Sequence, residues 1–228
     1  VLASSVGMDK EFTKKVLAAA DLPVAPEVIL KGRTELSEEE KQRLGLPVFV
    51  KPARGGSSIG VSKVSTWEEF PAAVALALED DEKILVEPEI VGQEVEIGVL
   101  HYADGTLLAS VPALLAGIDD SDEGFYGFDT KYLDNVVTAE IPAPFAPELT
   151  EKLRDMAIRA FEALNCEGLS RVDFFVTEDS VYINEINTLP GFTPISMYPQ
   201  VLAASGVEYP ALLLSLIHIS EPTRPRLI

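Results

Sequence analysis

One stretch, FVKPARGGSSIGVSKV from Phe49 to Val64, restricts the fold of this chain more than any other. An apolar run ends in a Lys–Pro pair, and a loop rich in glycine and serine separates it from a second β-branched run. Glycines let the backbone approach a ligand closely, and backbone N–H groups and serine hydroxyls donate to phosphate oxygens. In the GxxxxGK[ST] phosphate loop the lysine follows the glycines, whereas Lys51 precedes them here. We expect Lys51 to end a strand and face the loop 55–60, with a plain surface turn as the alternative.

The charge balance argues against several kinds of partner. Among 228 residues, 37 are acidic and 18 are basic, which gives a formal net charge of −19. Such a chain repels nucleic acid and acidic membrane surfaces, so neither is expected as a partner. No apolar run approaches the roughly 18 residues that span a bilayer, and the single cysteine, Cys166, allows no intrachain disulfide. We expect a cytoplasmic protein.

The alternation of apolar patterns predicts an α+β protein of two lobes. Residues 1–21 contain a connecting helix that Asp9 would cap. Residues 22–91 alternate strand, helix and strand, as in a small lobe. Residues 92–213 contain several strands and an amphipathic helix, as in a larger lobe.

Local signals place individual elements. The stretch Ser62–Asp80 is predicted to be a helix, in which Thr66 and Glu69 have the spacing of a capping box. Asp104–Gly105 is a hairpin signal between two strands. Helical periodicity after Pro147 predicts a helix over 147–165.

Two predicted strands near the C-terminal end carry a polar face. SRVDFFV places Arg171 and Asp173 on one face, and INEIN does the same for Glu185 and Asn187. If the strands pair as a hairpin, two carboxylates and an amide converge on one surface, and such hard oxygen ligands suit Mg²⁺. The alternative is a strand pair with its polar face in water. A further carboxylate, Glu87, ends the strand of LVEPEI, where it would accept a hydrogen bond from an adenine amino group or simply be solvated.

Together these signals resemble the ATP-grasp fold, in which two α+β lobes clamp ATP. Five segments in the expected order narrow the resemblance to the D-alanine–D-alanine ligase family. They are GMDK, VKPARGGSSIGVSKV, FDTKYLD, SRVDFFV and NEINTLPGFTPISMYP. The resemblance runs from Val1 to about Leu213.

The resemblance implies an ATP site. In the family, ATP phosphorylates the carboxylate of one D-alanine, and the amine of a second attacks the acyl phosphate to make a peptidoglycan precursor. Lys10 and Lys51 would contact the phosphates under the Gly/Ser loop. Glu87 would accept from the adenine amino group, Ile90 would offer its backbone, and Glu94 would hold the ribose. The residues assigned to ATP are Lys10, Lys51, Ser57, Ser58, Glu87, Ile90, Glu94 and Lys131.

The resemblance also implies a metal site and a catalytic group. Asp173, Glu185 and Asn187 would bind two Mg²⁺ ions, with Glu185 shared and Mn²⁺ as an alternative metal. Arg171 and the backbone N–H of Gly191 would stabilise the oxyanion of the tetrahedral intermediate. The catalytic set is Arg171, Ser57, Tyr132, Lys131, Gly191 and Ser196.

The identity of the second substrate depends on few residues. Ser196 and the backbone of Met197 would hold its carboxylate, while Tyr126 and Tyr132 belong to the loop that closes over it. Relatives that use D-lactate lack the Lys–Tyr pair of TKYL, and D-lactate and D-serine relatives tend to carry arginine at the methionine position. The resemblance therefore favours D-alanine. A D-alanine–D-serine or D-alanine–D-lactate ligase and an inactive ATP-binding fragment are the alternatives.

Both ends depart from the family pattern. The family's N-terminal domain, which binds the first D-alanine's ammonium group, would precede Val1 and is not in this sequence. The segment LSLIHISEPTR, Leu214–Arg224, resembles the translation of a sequencing-library adapter, so 214–228 is expected to be a non-native tail without helical periodicity. A full-length relative would be a homodimer.

Overall fold

The computed structural model of the chain describes residues 1–116, 138–193 and 195–220, and it confirms the expected α+β class. The helices are α1 (Leu2–Gly7), α2 (Lys10–Ala19), α3 (Glu38–Leu44), α4 (Phe70–Asp80), α5 (Pro147–Ala163), α6 (Met197–Ala204) and α7 (Tyr209–Ser220). The strands are β1 (Val28–Lys31), β2 (Val48–Pro52), β3 (Ser62–Val64), β4 (Lys83–Pro88), β5 (Gln93–His101), β6 (Leu107–Ala109), β7 (Ala113–Ala116), β8 (Thr138–Glu140), β9 (Leu169–Val176) and β10 (Val181–Asn187).

The smaller sheet has the strand order β1-β4-β2-β3 with antiparallel pairing throughout. Helix α4 packs against it and buries Phe70, Val74 and Ala77. Helix α3 covers a further part of this core with Leu44. A capping box starts α3: the Ser37 hydroxyl accepts from the backbone N–H of Glu40, whose carboxylate accepts in turn from the N–H of Ser37.

The larger sheet has the order β10-β9-β5-β7-β8, with β6 paired to β5. Alternate residues of β5, β9 and β10 face a core that α5 and α2 cover. The opposite face is divided. At one end α6 buries Tyr198 against β5, and the Tyr198 hydroxyl donates to the carbonyl of Val99 at 3.0 Å. The other end carries the polar side chains, so the packing of α6 limits where the polar surface begins.

Helix α2 contacts both sheets. Its N-cap Asp9 accepts from the backbone N–H of Phe12, as predicted, and forms an ion pair with Lys83 of β4 at 2.5 Å. The backbone N–H of Lys10 donates to the carbonyl of Ala53 beyond β2. At the other end of the helix, Leu17 is fully buried in the core of the larger sheet. One helix therefore fixes the two sheets relative to each other.

The start of α4 and its expected capping box differ from the prediction. The segment after Ser62 begins as strand β3, and α4 starts only at Phe70 because residues 62–64 pair with β2. Half of the expected capping box forms: the Glu69 carboxylate accepts from the N–H groups of Ser65 and Thr66, but Glu69 itself is the N-cap.

Helix α7 runs through the start of the expected tail as far as Ser220, although the sequence there lacks helical periodicity. Leu212 of this helix is fully buried, and Leu216 packs against the same cluster as Tyr198. Apolar packing therefore stabilises a helix where the sequence shows no clear amphipathic face. The origin of 214–228 stays a prediction.

No single helix in the described ranges is long and apolar enough to cross a membrane. Among the described helices, α6 and α7 reach that length and composition when taken together, and the chain bends by 105° between them.

The contact between β5 and α6 generates a stability prediction. A Cβ atom added at Gly98 would lie 2.5 Å from Leu202 Cδ2 and 3.0 Å from Tyr198 Cδ2, two fully buried side chains. Gly98→Ala should lower the free energy of unfolding by about 1–3 kcal/mol in urea denaturation. Gly56→Ala, where a Cβ meets no atom within 4 Å, is the control and should change it by no more than about 0.5 kcal/mol. Equal stability of the two variants would contradict the packing described here.

Candidate functional site

A cleft of about 470 Å³ lies between the two sheets. One wall comes from β2, β4 and the start of α2, and the other from β5, β7, β9 and β10. Nine of the residues singled out from the sequence line it: Lys10, Lys51, Ser57, Ser58, Glu87, Ile90, Glu94, Asp173 and Glu185. The structure thus brings together residues that lie up to 175 positions apart in the chain.

The glycine–serine loop is fixed at its base. Arg54 forms a bidentate ion pair with Asp81, whose carboxylate also accepts from the backbone N–H of Arg54 at 2.9 Å. The Lys10 ammonium group donates to the carbonyl of Gly55 at 2.6 Å, so the predicted phosphate-binding lysine contacts the loop directly.

The tip of the loop has an unusual backbone. Ser57 and Ser58 both have positive φ angles, 53° and 57°. They lie in the left-handed region of backbone conformation that residues other than glycine seldom adopt. Gly60 has a φ of 70°, and a Cβ there would lie 2.5 Å from Asp80 Oδ2. The backbone conformation and the nearby ring of Pro52, whose Cγ would lie 2.9 Å from that Cβ, both favour glycine at position 60. Strained backbone of this kind is concentrated at functional sites.

A buried row of alternating charges crosses the small-sheet wall. Lys51 of β2 contacts one oxygen of Glu87, and Lys14 of α2 contacts the other. Lys14 also lies 3.3 Å from Glu27. Lys51 and Glu87 were predicted from the sequence, whereas Lys14 was not. Its spacing from Lys10, four residues along the same helix, was the available signal, since such residues share a face.

Burial alters the proton affinities of both lysines. Desolvation, followed by the positive charges of Lys14 and Lys10, lowers the pKa of Lys51 to about 7. Desolvation also lowers the pKa of Lys14 to about 8, although the carboxylate of Glu27 opposes the change. An anion brought next to Lys51 would favour its charged form and would therefore raise this pKa again.

The opposite wall carries the predicted oxygen ligands. In the hairpin of β9 and β10, Glu185 pairs with Asp173 and Asn187 with Arg171, so all four side chains share one face as predicted. The Asn187 amide nitrogen lies 3.0 Å from Asp173 Oδ2 and 3.3 Å from Glu185 Oε1. The register shifts between Ile183 and Glu185, where a β-bulge adjusts the direction of the strand.

The donor set fits Mg²⁺ chemically. Within the part of the chain that the structure describes, no three Asp, Glu, His or Cys side chains are grouped to hold a metal ion by themselves. Two carboxylates and an amide oxygen are nevertheless the usual protein share of a Mg²⁺ site, because phosphate oxygens and water supply the other ligands. Asp173, Glu185 and Asn187 would therefore hold Mg²⁺ together with a phosphorylated ligand.

Arg171 lies among these acids. It forms a bidentate ion pair with Asp173, both distances being 2.7 Å, and its Nε lies 3.2 Å from Glu96 Oε2. Burial opposes the charged form of Arg171, but the carboxylates of Asp173 and Glu96 raise its pKa overall. Glu96 was missed from the sequence. It lies two residues after Glu94 on β5 and opposite Asp173, so the period-2 face of the strand could have identified it.

The segment after β10 contains the residues expected to bind the second substrate. Ser196 is the N-cap of α6, and its hydroxyl accepts from the backbone N–H of Thr193 at 3.0 Å. A Cβ at Gly191 would lie 2.9 Å from Ser196 Oγ, so Gly191 and Ser196 are neighbours, while Met197 is the first residue of α6. Tyr126, Lys131 and Tyr132 lie outside the described residues.

The sequence of the chain is similar to those of known D-alanine–D-alanine ligases. The sequence model described as "D-ala D-ala ligase C-terminus" matches residues 16–218. The D-alanine–D-alanine ligase of Corynebacterium efficiens is 65% identical over 217 residues, covering 95% of this chain and 60% of that protein. The ligase of Mycolicibacterium smegmatis is 53% identical over 220 residues, covering 95% and 59%. The chain thus spans about 60% of the length of these relatives.

Solved structures of ligases also superpose on this chain. The D-alanine–D-alanine ligase from Coxiella burnetii superposes with a TM-score of 0.82 at 37% identity, covering 96% of this chain and 58% of that one. The VanG D-Ala:D-Ser ligase from Enterococcus faecalis gives 0.83 at 33% identity, with 96% and 63% covered. The ligase from Bacillus anthracis, solved with ATP, gives 0.79 at 27% identity, with 96% and 67% covered. The expected ATP-grasp fold is confirmed, and the chain belongs to the D-alanine–D-alanine ligase family.

Proposed function

We propose that this chain supplies the ATP-binding part of a D-alanine–D-alanine ligase, which uses ATP to join two D-alanines for peptidoglycan synthesis. The observation that carries the proposal is the cleft itself. Lysines line one wall, and Asp173 and Glu185 line the other, with the Asn187 amide nitrogen 3.0 and 3.3 Å from their carboxylates. A nucleoside triphosphate between them would have lysine ammonium groups on one side and, once metal is bound, Mg²⁺ on the other.

The chemistry follows from the residues present. Lys10 and Lys51 would bind the phosphates, and the N–H groups and hydroxyls of Ser57 and Ser58 would cover them. Two Mg²⁺ ions, when bound, would offset the triphosphate charge. A D-alanine carboxylate oxygen attacks the γ-phosphorus, the bond to the ADP oxygen breaks, and an acyl phosphate forms.

The second step makes the peptide bond. The amine of the second D-alanine attacks the acyl carbon and loses a proton, and inorganic phosphate leaves. Arg171 and the N–H of Gly191 would stabilise the oxyanion formed in this attack. Ser196 and the backbone of Met197 would hold the second carboxylate, and the assignment of Lys131, Tyr126 and Tyr132 to the closing loop follows the family resemblance.

The proposal extends to the wider setting of the protein. The base would contact Glu87 and the backbone of Ile90, and the ribose would contact Glu94. The full-length protein would act as a homodimer in the cytoplasm, where ATP is available. These contacts of the base and ribose, the dimeric state and the cytoplasmic location rest on the family resemblance.

A metal-ligand variant tests the activity. In a complete protein, Glu185→Gln should lower Mg²⁺-dependent formation of D-alanyl-D-alanine by at least about a hundredfold, because a shared carboxylate ligand is lost. Glu178→Gln, an exposed position in the turn of the same hairpin, is the matched control and should retain the activity of the unsubstituted protein. The product is identified by mass spectrometry.

Each contrary outcome has a distinct meaning. Undiminished turnover in Glu185→Gln would contradict the metal assignment. A product containing D-serine or D-lactate would contradict the choice of second substrate. If the unsubstituted complete protein forms no dipeptide, the proposed function is wrong.

The lowered pKa of Lys51 gives a pH prediction. Burial lowers the pKa of Lys51 to about 7, and a bound phosphate raises it, so ATP binding at pH 8 should be accompanied by uptake of a fraction of a proton. At pH 6 Lys51 is already charged, and its uptake should vanish. Calorimetry in buffers of different ionisation enthalpy measures the proton number. Lys51→Arg, which is always charged, should remove the uptake at pH 8, and an unchanged proton number in this variant would show that another group titrates.

A further inference from the structure

Helix α2 carries a lysine that the proposed reaction does not use. Lys14 lies one helical turn after Lys10, but it is only 4% exposed and contacts carboxylates, whereas Lys10 contacts the carbonyl of Gly55 in the glycine–serine loop. A lysine this deeply buried is unfavourable unless its charge is compensated. Its partners therefore indicate its role.

Two carboxylates compensate Lys14. Its ammonium group contacts Glu87 Oε1 and lies 3.3 Å from Glu27 Oε2. The other oxygen of Glu87 contacts Lys51, so Glu87 has one ammonium group at each oxygen. The carboxylate itself is only 6% exposed.

The two ammonium groups on Glu87 are not equivalent. Both side chains line the cleft, but that of Lys51 is 16% exposed and that of Lys14 only 5%. Lys51 lies near the end of β2, where a phosphate would compete with Glu87 for it. Lys14 comes from α2, which is fixed by the ion pair of Asp9 with Lys83 and by burial of Leu17 in the other core. Phosphate binding would thus remove one counter-charge from Glu87 and leave the other in place.

The state of Glu87 then depends on Lys14. A buried carboxylate without a counter-charge tends to take up a proton, and a protonated carboxyl group donates a hydrogen bond as readily as it accepts one. Beside Lys14, Glu87 stays an ionised acceptor. The oxygen that Lys51 leaves is then the one available to the adenine amino group.

We propose that Lys14 is a positioning residue for recognition of the nucleotide base: it holds Glu87 as an ionised, oriented acceptor while Lys51 moves to the phosphates. The inference rests on the proposed function, because it takes Glu87 as the acceptor for adenine. Recognition of the base and of the phosphates is then linked through one carboxylate, which exchanges an ammonium group for an amino group as the nucleotide enters.

A selectivity measurement tests this role. ATP and ITP differ at the purine 6-position, where ITP has a carbonyl oxygen that an ionised Glu87 repels. In titration calorimetry, the ratio of ITP to ATP dissociation constants should be well above one for the unsubstituted chain. It should fall about tenfold or more in Lys14→Met, since hydrogen bonds to charged groups contribute this much. Lys14→Arg keeps the charge and should retain the ratio.

Controls separate this role from a purely structural one. Lys15→Met removes the neighbouring, exposed lysine, whose partner is Glu11, and should leave the ratio unchanged. Loss of packing alone would weaken ATP and ITP equally and leave the ratio intact. In the background of Glu87→Gln, Lys14→Met should change the ratio no further, because the carboxylate it holds is gone. Lys14→Gln is measured alongside and decides the result if Lys14→Met does not fold.

The outcomes distinguish the inference from the proposed function. If the unsubstituted chain binds neither nucleotide, the proposed function fails and the inference fails with it. If that chain is selective and the folded Lys14 variant is equally selective, only the inference is overturned. A reduced ratio in both Lys14→Met and Lys15→Met would also overturn it, since the effect would then be one of general charge.

Discussion

The register of β9 between β5 and β10 is the constraint on which the cleft depends. It places Asp173 opposite Glu96 on one side and Glu185 on the other, and Arg171 opposite Asn187. Because side chains alternate along a strand, a shift of β9 by one residue would turn Arg171 and Asp173 into the apolar core. The apolar residues on the other face, such as Val172 and Phe174, are buried under α5 and α2, and their burial holds the register. The packing of the core thus positions the polar side chains.

Charge distribution explains how so acidic a chain presents an anion-binding cleft. Its formal charge is −19, yet Lys10, Lys14 and Lys51 line the same cavity. Lys51 and Lys14 are held there by direct contact with Glu87, and Lys10 by the carbonyl of Gly55. The low dielectric of a partly enclosed site makes these local charges count for more than the distant net charge.

The sequence predicted those features that a short stretch of chain determines. The period-2 alternation of β9 and β10 predicted the polar face, and the Lys–Pro pair before the glycines predicted the strand end and the loop. Lys14 and Glu96 were not predicted: their spacing indicates which face of the element they lie on, but their burial against charged partners follows from elements that meet only in the folded chain. The start of α4 was misplaced since Ser62–Val64 pairs with β2, a contact of tertiary origin. The helix α7 likewise owes its stability to a surface contributed by Tyr198.

The position of α2 has a thermodynamic consequence. The helix buries Leu17 in the core of the larger sheet and places Asp9 and Lys14 against strand β4 of the smaller one. Neither sheet can lose its fold without exposing a surface that the other helps to cover through this helix. Each sheet with its covering helices therefore contributes to the unfolding free energy of the other. The two are expected to unfold as one cooperative unit.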